Sequence, residues 1–271
     1  MSERNVMVNT DLEGPWVTAD HAHAVALEAL RTPGDPAMGA DIFEKISLLD
    51  DAFYYVLKAD DYNPGDTLYL IAPFLIAFGA KEQLLTDVAK LQANYIAGAV
   101  PTMKMLDAEG FNPVVISTSY QQYVHHVVPP MGVPVERCHC TNFPLDVYLE
   151  EVSDEDKRMM FGIAKDMVAE PKINVDENST TDNISIQDAA VIERYRQLFL
   201  EELPNSSFGR VMKEVRPVGG TRKTAALMAS LRYHKRSMEE TVTVGDSITD
   251  EDMLRATKRG GGLAVSFNGN G

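Results

Sequence analysis

The chain alternates between short continuous apolar runs and longer stretches in which apolar residues recur every three or four positions. The short runs are 6–8 and 114–116, with 241–244, where threonine alternates with valine, and 263–267, broken by one serine, reading the same way. A brief apolar run bounded by turn residues suits a strand buried on both faces of a parallel sheet. Segment 133–142, which holds Cys138-His139-Cys140, is expected to contain one more short strand. Helical spacing dominates elsewhere. Ile42, Ile46, Leu49, Phe53 and Val56 lie on one face of a helix over 41–58, and a second follows near 81–93. Pro101 suits a first helical turn and Gly110 the end of that helix. Further helices are expected over 121–127, 153–167, 186–203, 221–231 and 251–259. Ser153-Asp154-Glu155-Asp156 is a helix-start signature. Strands separated by helices imply an α/β fold, a Rossmann-like parallel sheet core.

Between the first two strands the pattern is helical, so 15–97 is expected to be a mostly helical insertion with its own small core. The core is then 1–14 and 98–271, with 143–215 a possible elaboration of it. The polar stretch 174–183 reads as a loop. The longest apolar run, 68–80, is too short for a bilayer span of ~20 residues and reads as a core segment.

Composition changes this picture in three ways. With 271 residues and 45% apolar content, one large domain or a core plus an insertion can be buried. The net charge of −15 argues against nucleic acid as a partner and suits a site that recruits a divalent cation, or simply solubility. Cys138 and Cys140, the only cysteines, give no disulfide framework, so an intracellular, cytoplasmic setting is expected. As metal ligands, Cys138, His139 and Cys140 would have to bend back sharply within three residues, and no second cluster exists, so zinc is not expected.

The candidate chemistry stands at the ends of the strands, where parallel α/β sheets carry their sites. The first run ends in Asp11-Leu12-Glu13-Gly14-Pro15, and the run at 241 ends in Gly245-Asp246-Ser247-Ile248-Thr249-Asp250. The run at 114 ends in Ser117-Thr118-Ser119, and Pro217-Val218-Gly219-Gly220-Thr221-Arg222-Lys223 opens a helix. Alone, each has a plainer reading. Asp11 could belong to an ordinary turn, Ser117 could cap the following helix, and Lys223 could be a surface residue with Arg222 in its place. Asp246 and Asp250 could be a cap and a first-turn acid.

Taken in chain order, the four stretches resemble the motifs of the haloacid dehalogenase superfamily of aspartate-nucleophile phosphohydrolases. The resemblance covers 5–14, 101–120 and 217–268, and Asp-Leu-Glu-Gly is similar to a branch near phosphoserine phosphatase that includes a phosphotransferase to homoserine. It implies a nucleophile at Asp11, a phosphate-binding hydroxyl at Ser117 and a phosphate-binding cation at Lys223. It implies Mg²⁺ held by Asp11, the backbone carbonyl of Glu13 and Asp246, with Asp250 behind them or acting through water. The insertion after the first motif falls where the family places a helical cap, and Trp16, Asp20, His21 and His23 lie near its start. Glu13 departs from the usual Asp acid–base residue by one methylene. Thr118 and Ser119 stand where that branch has glycines.

The expectation is therefore a Mg²⁺-dependent phosphomonoester hydrolase of a small phosphorylated metabolite, acting through an aspartyl-phosphate, with neither nucleic acid nor membrane as partner. Two alternatives stay open. One is phosphoryl transfer to an alcohol. The other is a catalytically weak subunit of a larger complex, given a general likeness, carried by no motif residue, to methanogen hydrogenase proteins. Substrate and oligomeric state are not legible.

Overall fold

A computed structural model describes residues 6–268. The chain opens with β1 (Met7–Thr10), followed by α1 (His21–Ala29), α2 (Met38–Asp51), α3 (Thr67–Ala77), α4 (Glu82–Leu91) and α5 (Ala99–Ala108). Next come β2 (Val114–Tyr120), α6 (Gln121–Val127), β3 (Cys138–Thr141), α7 (Leu145–Glu151), α8 (Asp154–Ala169), α9 (Ile186–Gln197) and α10 (Gly209–Glu214). The last elements are α11 (Thr221–His234), β4 (Thr241–Gly245), α12 (Glu251–Arg259) and β5 (Leu263–Ser266).

The strands form one parallel sheet in the order β3-β2-β1-β4-β5. β1 is central, as its unbroken burial requires. The chain builds outward from β1 through β2 to β3, then crosses back to place β4 on the other side of β1. The order therefore reverses between β1 and β4, and their carboxyl ends flank the crevice that such a reversal leaves. Thr10 pairs with Val244, which brings the residues just after each strand, Asp11 and Asp246, to the same end.

Side-chain alternation along β2 divides the core. Val115 packs with Leu12, Met103, Tyr123, Val124 and Met131 on one face. Val114 and Ile116 pack with Met7, Leu227, Leu231 and Met253 on the other. Asn9 is buried within the sheet, yet both ends of its amide are satisfied. Its Nδ2 donates to Thr241 Oγ1 at 2.7 Å, and its Oδ1 accepts from Ser230 Oγ at 3.1 Å. That bond ties α11 to β1.

The chain divides into two compact units: 1–21 with 86–142 and 217–271, and 22–85 with 143–216. These boundaries differ from the expected ones, because 143–216 packs with the first helical insertion rather than elaborating the sheet. The reasons are local. Lys45 Nζ donates to the carbonyls of Met167 (2.6 Å), Val168 (2.9 Å) and Glu170 (2.5 Å) at the end of α8. Tyr69 OH donates to Phe199 O at 3.1 Å, and the rings of Phe74 and Phe199 lie 6.2 Å apart. The apolar run at 68–80 forms the buried α3. Two helices read as continuous end instead in π-helical turns, 52–56 after α2 and 198–202 after α9. A π turn re-aims the face that follows it, and Phe53, Val56 and Phe199 are buried there. α7 and α10, seven and six residues long, are too short for their periodicity to register in the sequence. No single helix among the described residues is long and apolar enough to cross a membrane.

Candidate active site

Asp11 follows β1 directly and is 5% exposed. Its N–H donates to Val244 O at 2.8 Å, which pins the loop to β4. Its Oδ1 accepts the Leu12 N–H at 2.7 Å, and its Oδ2 lies 2.9 Å from Lys223 Nζ. Below it, Trp16 Nε1 donates to Thr10 Oγ1 at 2.7 Å, and Thr10 Oγ1 donates to Asp11 O at 2.8 Å.

Lys223, in the first turn of α11, is fully buried, and its Nζ lies 2.6 Å from Asp250 Oδ1. The neighbouring Arg222 donates from Nη1 to Pro217 O at 3.2 Å. The helix is delivered by a turn in which Gly220 has φ +51° and donates its N–H to Thr249 O at 2.9 Å. The preceding loop is held to the sheet. Thr118 Oγ1 donates to Val218 O at 2.9 Å, and Val218 N–H donates to Thr141 Oγ1 at 3.1 Å.

Asp250, also fully buried, shapes the β4 loop. Its Oδ2 accepts the N–H groups of Asp246 (3.0 Å) and Ser247 (3.2 Å). Asp11, Asp246 and Asp250 each offer a carboxylate oxygen within 4.8 Å of the others. No second such group of His, Cys, Asp or Glu occurs among the described residues. The sulfur of Cys140 lies 3.9 Å from His125 Nε2.

The electrostatics follow from burial. Desolvation pushes the Asp11 carboxyl well above the ordinary range; Lys223 opposes this and Asp250 adds to it. Asp246 is raised by burial and by Asp250. Burial disfavours the Lys223 ammonium, but the charges of Asp11 and Asp250 outweigh it and raise the net value. One ammonium thus faces three carboxylates. A divalent cation with a preference for oxygen ligands would close that balance, so the residues fit Mg²⁺.

Glu13 is partly buried and pushed up to about 7, chiefly by desolvation and then by Asp20. Its carboxylate accepts the His21 N–H at 3.2 Å, and that bond and the Ser119 side chain oppose the rise. His21 is buried and stacks on Tyr123, with ring centroids 4.6 Å apart. Ser117 is buried in β2, two residues beyond Val115, the partner of Thr10. Its Oγ accepts the Ser119 N–H at 3.2 Å. The sequence pattern points to the strand ends, and the fold brings Asp11, Lys223, Asp246 and Asp250 together. The pattern does not reveal the links of Thr118, Thr141 and Ser119. The hydroxyl run of β2 is the only hint of them.

No family model and no curated protein matches the chain. Solved structures do. Gene product AF1437 from Archaeoglobus fulgidus aligns over 98% of this chain and 75% of its own, with 26% identity and a TM-score of 0.78. A haloacid dehalogenase family hydrolase from Salmonella enterica serovar Typhi aligns over 95% of this chain and 62% of its own, with 12% identity and a TM-score of 0.51. A phosphoserine phosphatase in apo form aligns over 97% and 86%, with 13% identity and a TM-score of 0.49. With its central β1, its parallel sheet and its helical unit, the chain has the haloacid dehalogenase fold.

Proposed function

We propose that the protein is a Mg²⁺-dependent phosphomonoester hydrolase of a small phosphorylated metabolite, acting through an aspartyl-phosphate on Asp11. One observation carries this reading: buried Asp11 lies 2.9 Å from Lys223 Nζ and shares a 4.8 Å cluster with Asp246 and Asp250. A carboxylate approaching a phosphate dianion needs positive charge on both sides of the transferring group. Lys223 supplies part of it. Asp11, Asp246 and the Glu13 carbonyl would hold the metal, which supplies the rest as a Lewis acid. Asp250 has both oxygens engaged and braces the loop that presents Asp246.

In the first step an Asp11 carboxylate oxygen bonds to phosphorus as the ester P–O bond breaks. Glu13, whose carboxyl burial pushes up to about 7, gives its proton to the departing oxygen. In the second step Glu13 takes a proton from water as that water bonds to phosphorus. The acyl phosphate cleaves, releasing inorganic phosphate and restoring Asp11. Ser117 is proposed to hold the phosphoryl oxygens by hydrogen bonding.

The test is hydrolysis of p-nitrophenyl phosphate by wild type and Asp11→Asn, with Mg²⁺ and with chelator. Activity lost in the variant and in chelator supports the reading. Folded wild type without Mg²⁺-dependent turnover would redirect it to phosphotransfer onto an alcohol, or to a non-catalytic subunit.

A further inference from the structure

β2 departs from regular pairing at the stretch that carries Ser117. Against β3, Ile116 pairs with His139 and Tyr120 with Thr141. β2 therefore advances from 116 to 120 while β3 advances only from 139 to 141, and Ser117, Thr118 and Ser119 stand in the resulting bulge. A bulge re-aims side chains and takes backbone groups out of the ladder. Such groups need other partners when they are buried.

Thr141, the last residue of β3, is fully buried beside this bulge. Its Oγ1 donates to Thr118 O at 2.5 Å and accepts the Val218 N–H at 3.1 Å. Thr118 Oγ1 donates in turn to Val218 O at 2.9 Å. The three bonds close a ring between the β2 bulge, the end of β3 and the loop before α11. A hydroxyl has one proton to give and lone pairs with which to accept, so one threonine can bridge a carbonyl of one segment and an N–H of another. A valine of similar shape could bridge neither. Both arms of the ring lead to the site. Thr118 follows Ser117 directly. Val218 lies in the loop that runs through Gly220 into the first turn of α11, where Lys223 Nζ stands 2.9 Å from Asp11 Oδ2.

We propose that Thr141 is a positioning residue, whose hydroxyl fixes the spacing between Ser117 and Lys223, the two groups that hold the phosphoryl oxygens. The inference rests on the phosphatase reading of the site. Asp11, Glu13, Asp246 and Asp250 take no part in the ring, so its loss falls on the phosphoryl group and not on Mg²⁺.

The experiment compares wild type, Thr141→Val, Thr141→Ser and Thr118→Val. Calorimetry measures the affinity for Mg²⁺ alone and for inorganic phosphate in saturating Mg²⁺, and p-nitrophenyl phosphate gives kcat/KM. Misplacing a group by about 1 Å can cost on the order of 10²-fold. Thr141→Val should weaken phosphate about tenfold or more and lower kcat/KM by a similar factor, with Mg²⁺ affinity within about twofold of wild type. Thr141→Ser keeps the hydroxyl and should recover phosphate affinity to within about threefold of wild type. Thr118→Val opens the ring at one bond and should show a smaller loss of the same kind; it decides the question if Thr141→Val does not fold. With an active wild type, three results would overturn the inference alone: unchanged phosphate affinity and kcat/KM in the valine variants, equal losses for Mg²⁺ and phosphate, or no recovery in Thr141→Ser. A folded wild type that neither binds phosphate nor hydrolyses the ester in Mg²⁺ would overturn the phosphatase reading and the inference with it.

Discussion

Lys223 Nζ lies 2.6 Å from Asp250 Oδ1, and both side chains are closed to solvent. Removing one partner of a buried pair strands the other's charge, at a cost of about 3–5 kcal/mol. Lys223→Met strands both Asp11 and Asp250 and should lower stability by an amount in that range, whereas Asp250→Asn leaves Lys223 paired with Asp11 and should cost less. The double variant should lose less than the sum, because neither charge is then stranded against the other. Urea denaturation of the four proteins measures this, and strictly additive losses would show that the two groups are not coupled.

Glycine substitutions should have opposite signs at two positions. Gly14 has φ +87°, and a Cβ there would lie 2.0 Å from Asp246 Oδ2. Gly14→Ala should destabilise the chain by about 1–3 kcal/mol and displace Asp246. Gly162 lies inside α8 with no atom within 4 Å of an added Cβ. Gly162→Ala should raise stability by about 0.5–1 kcal/mol. Thermal denaturation of both variants suffices; a stabilised Gly14→Ala would contradict the contact between the two loops.

Asp50 gives stability a pH dependence. Burial raises its carboxyl from 3.8 to about 7, although Tyr62 OH (2.7 Å) and Thr67 Oγ1 (2.8 Å) donate to it. Between these values the folded chain keeps a proton that the unfolded chain has released, so stability falls as pH rises from about 4 to about 7. Asp50→Asn cannot ionise and should remove that component. The difference in unfolding free energy between wild type and variant should shift toward the variant across this window, then level off above about 7. A difference that is flat with pH would rule Asp50 out as the source.

Lys45 joins segments more than 120 residues apart by donating to three carbonyls at the end of α8. Hydrogen bonds from a charged donor contribute about 1.5–3 kcal/mol. Lys45→Met should cost about 1–3 kcal/mol and speed amide exchange across 167–173. Unchanged protection there would mean that apolar packing alone holds the two segments together.

The sequence by itself determined the order and kind of the main elements. Runs such as Val114-Val115-Ile116 are buried on both faces, and a strand needs only neighbouring residues to declare itself. It also determined which residues end those strands, because Gly-Pro after Glu13 and the turn after Val244 break the pattern where it stops. Only the tertiary structure decided what those ends meet. That Lys223 would be sealed between Asp11 and Asp250, rather than exposed with Arg222 in its place, depends on how α11 is tied to β1 through Ser230 and Asn9. That 143–216 would join 22–85 depends on contacts such as Lys45 with Met167. Periodicity records the direction in which a side chain faces its own element. The partner it finds there is set by packing between elements, to which a local pattern carries no address.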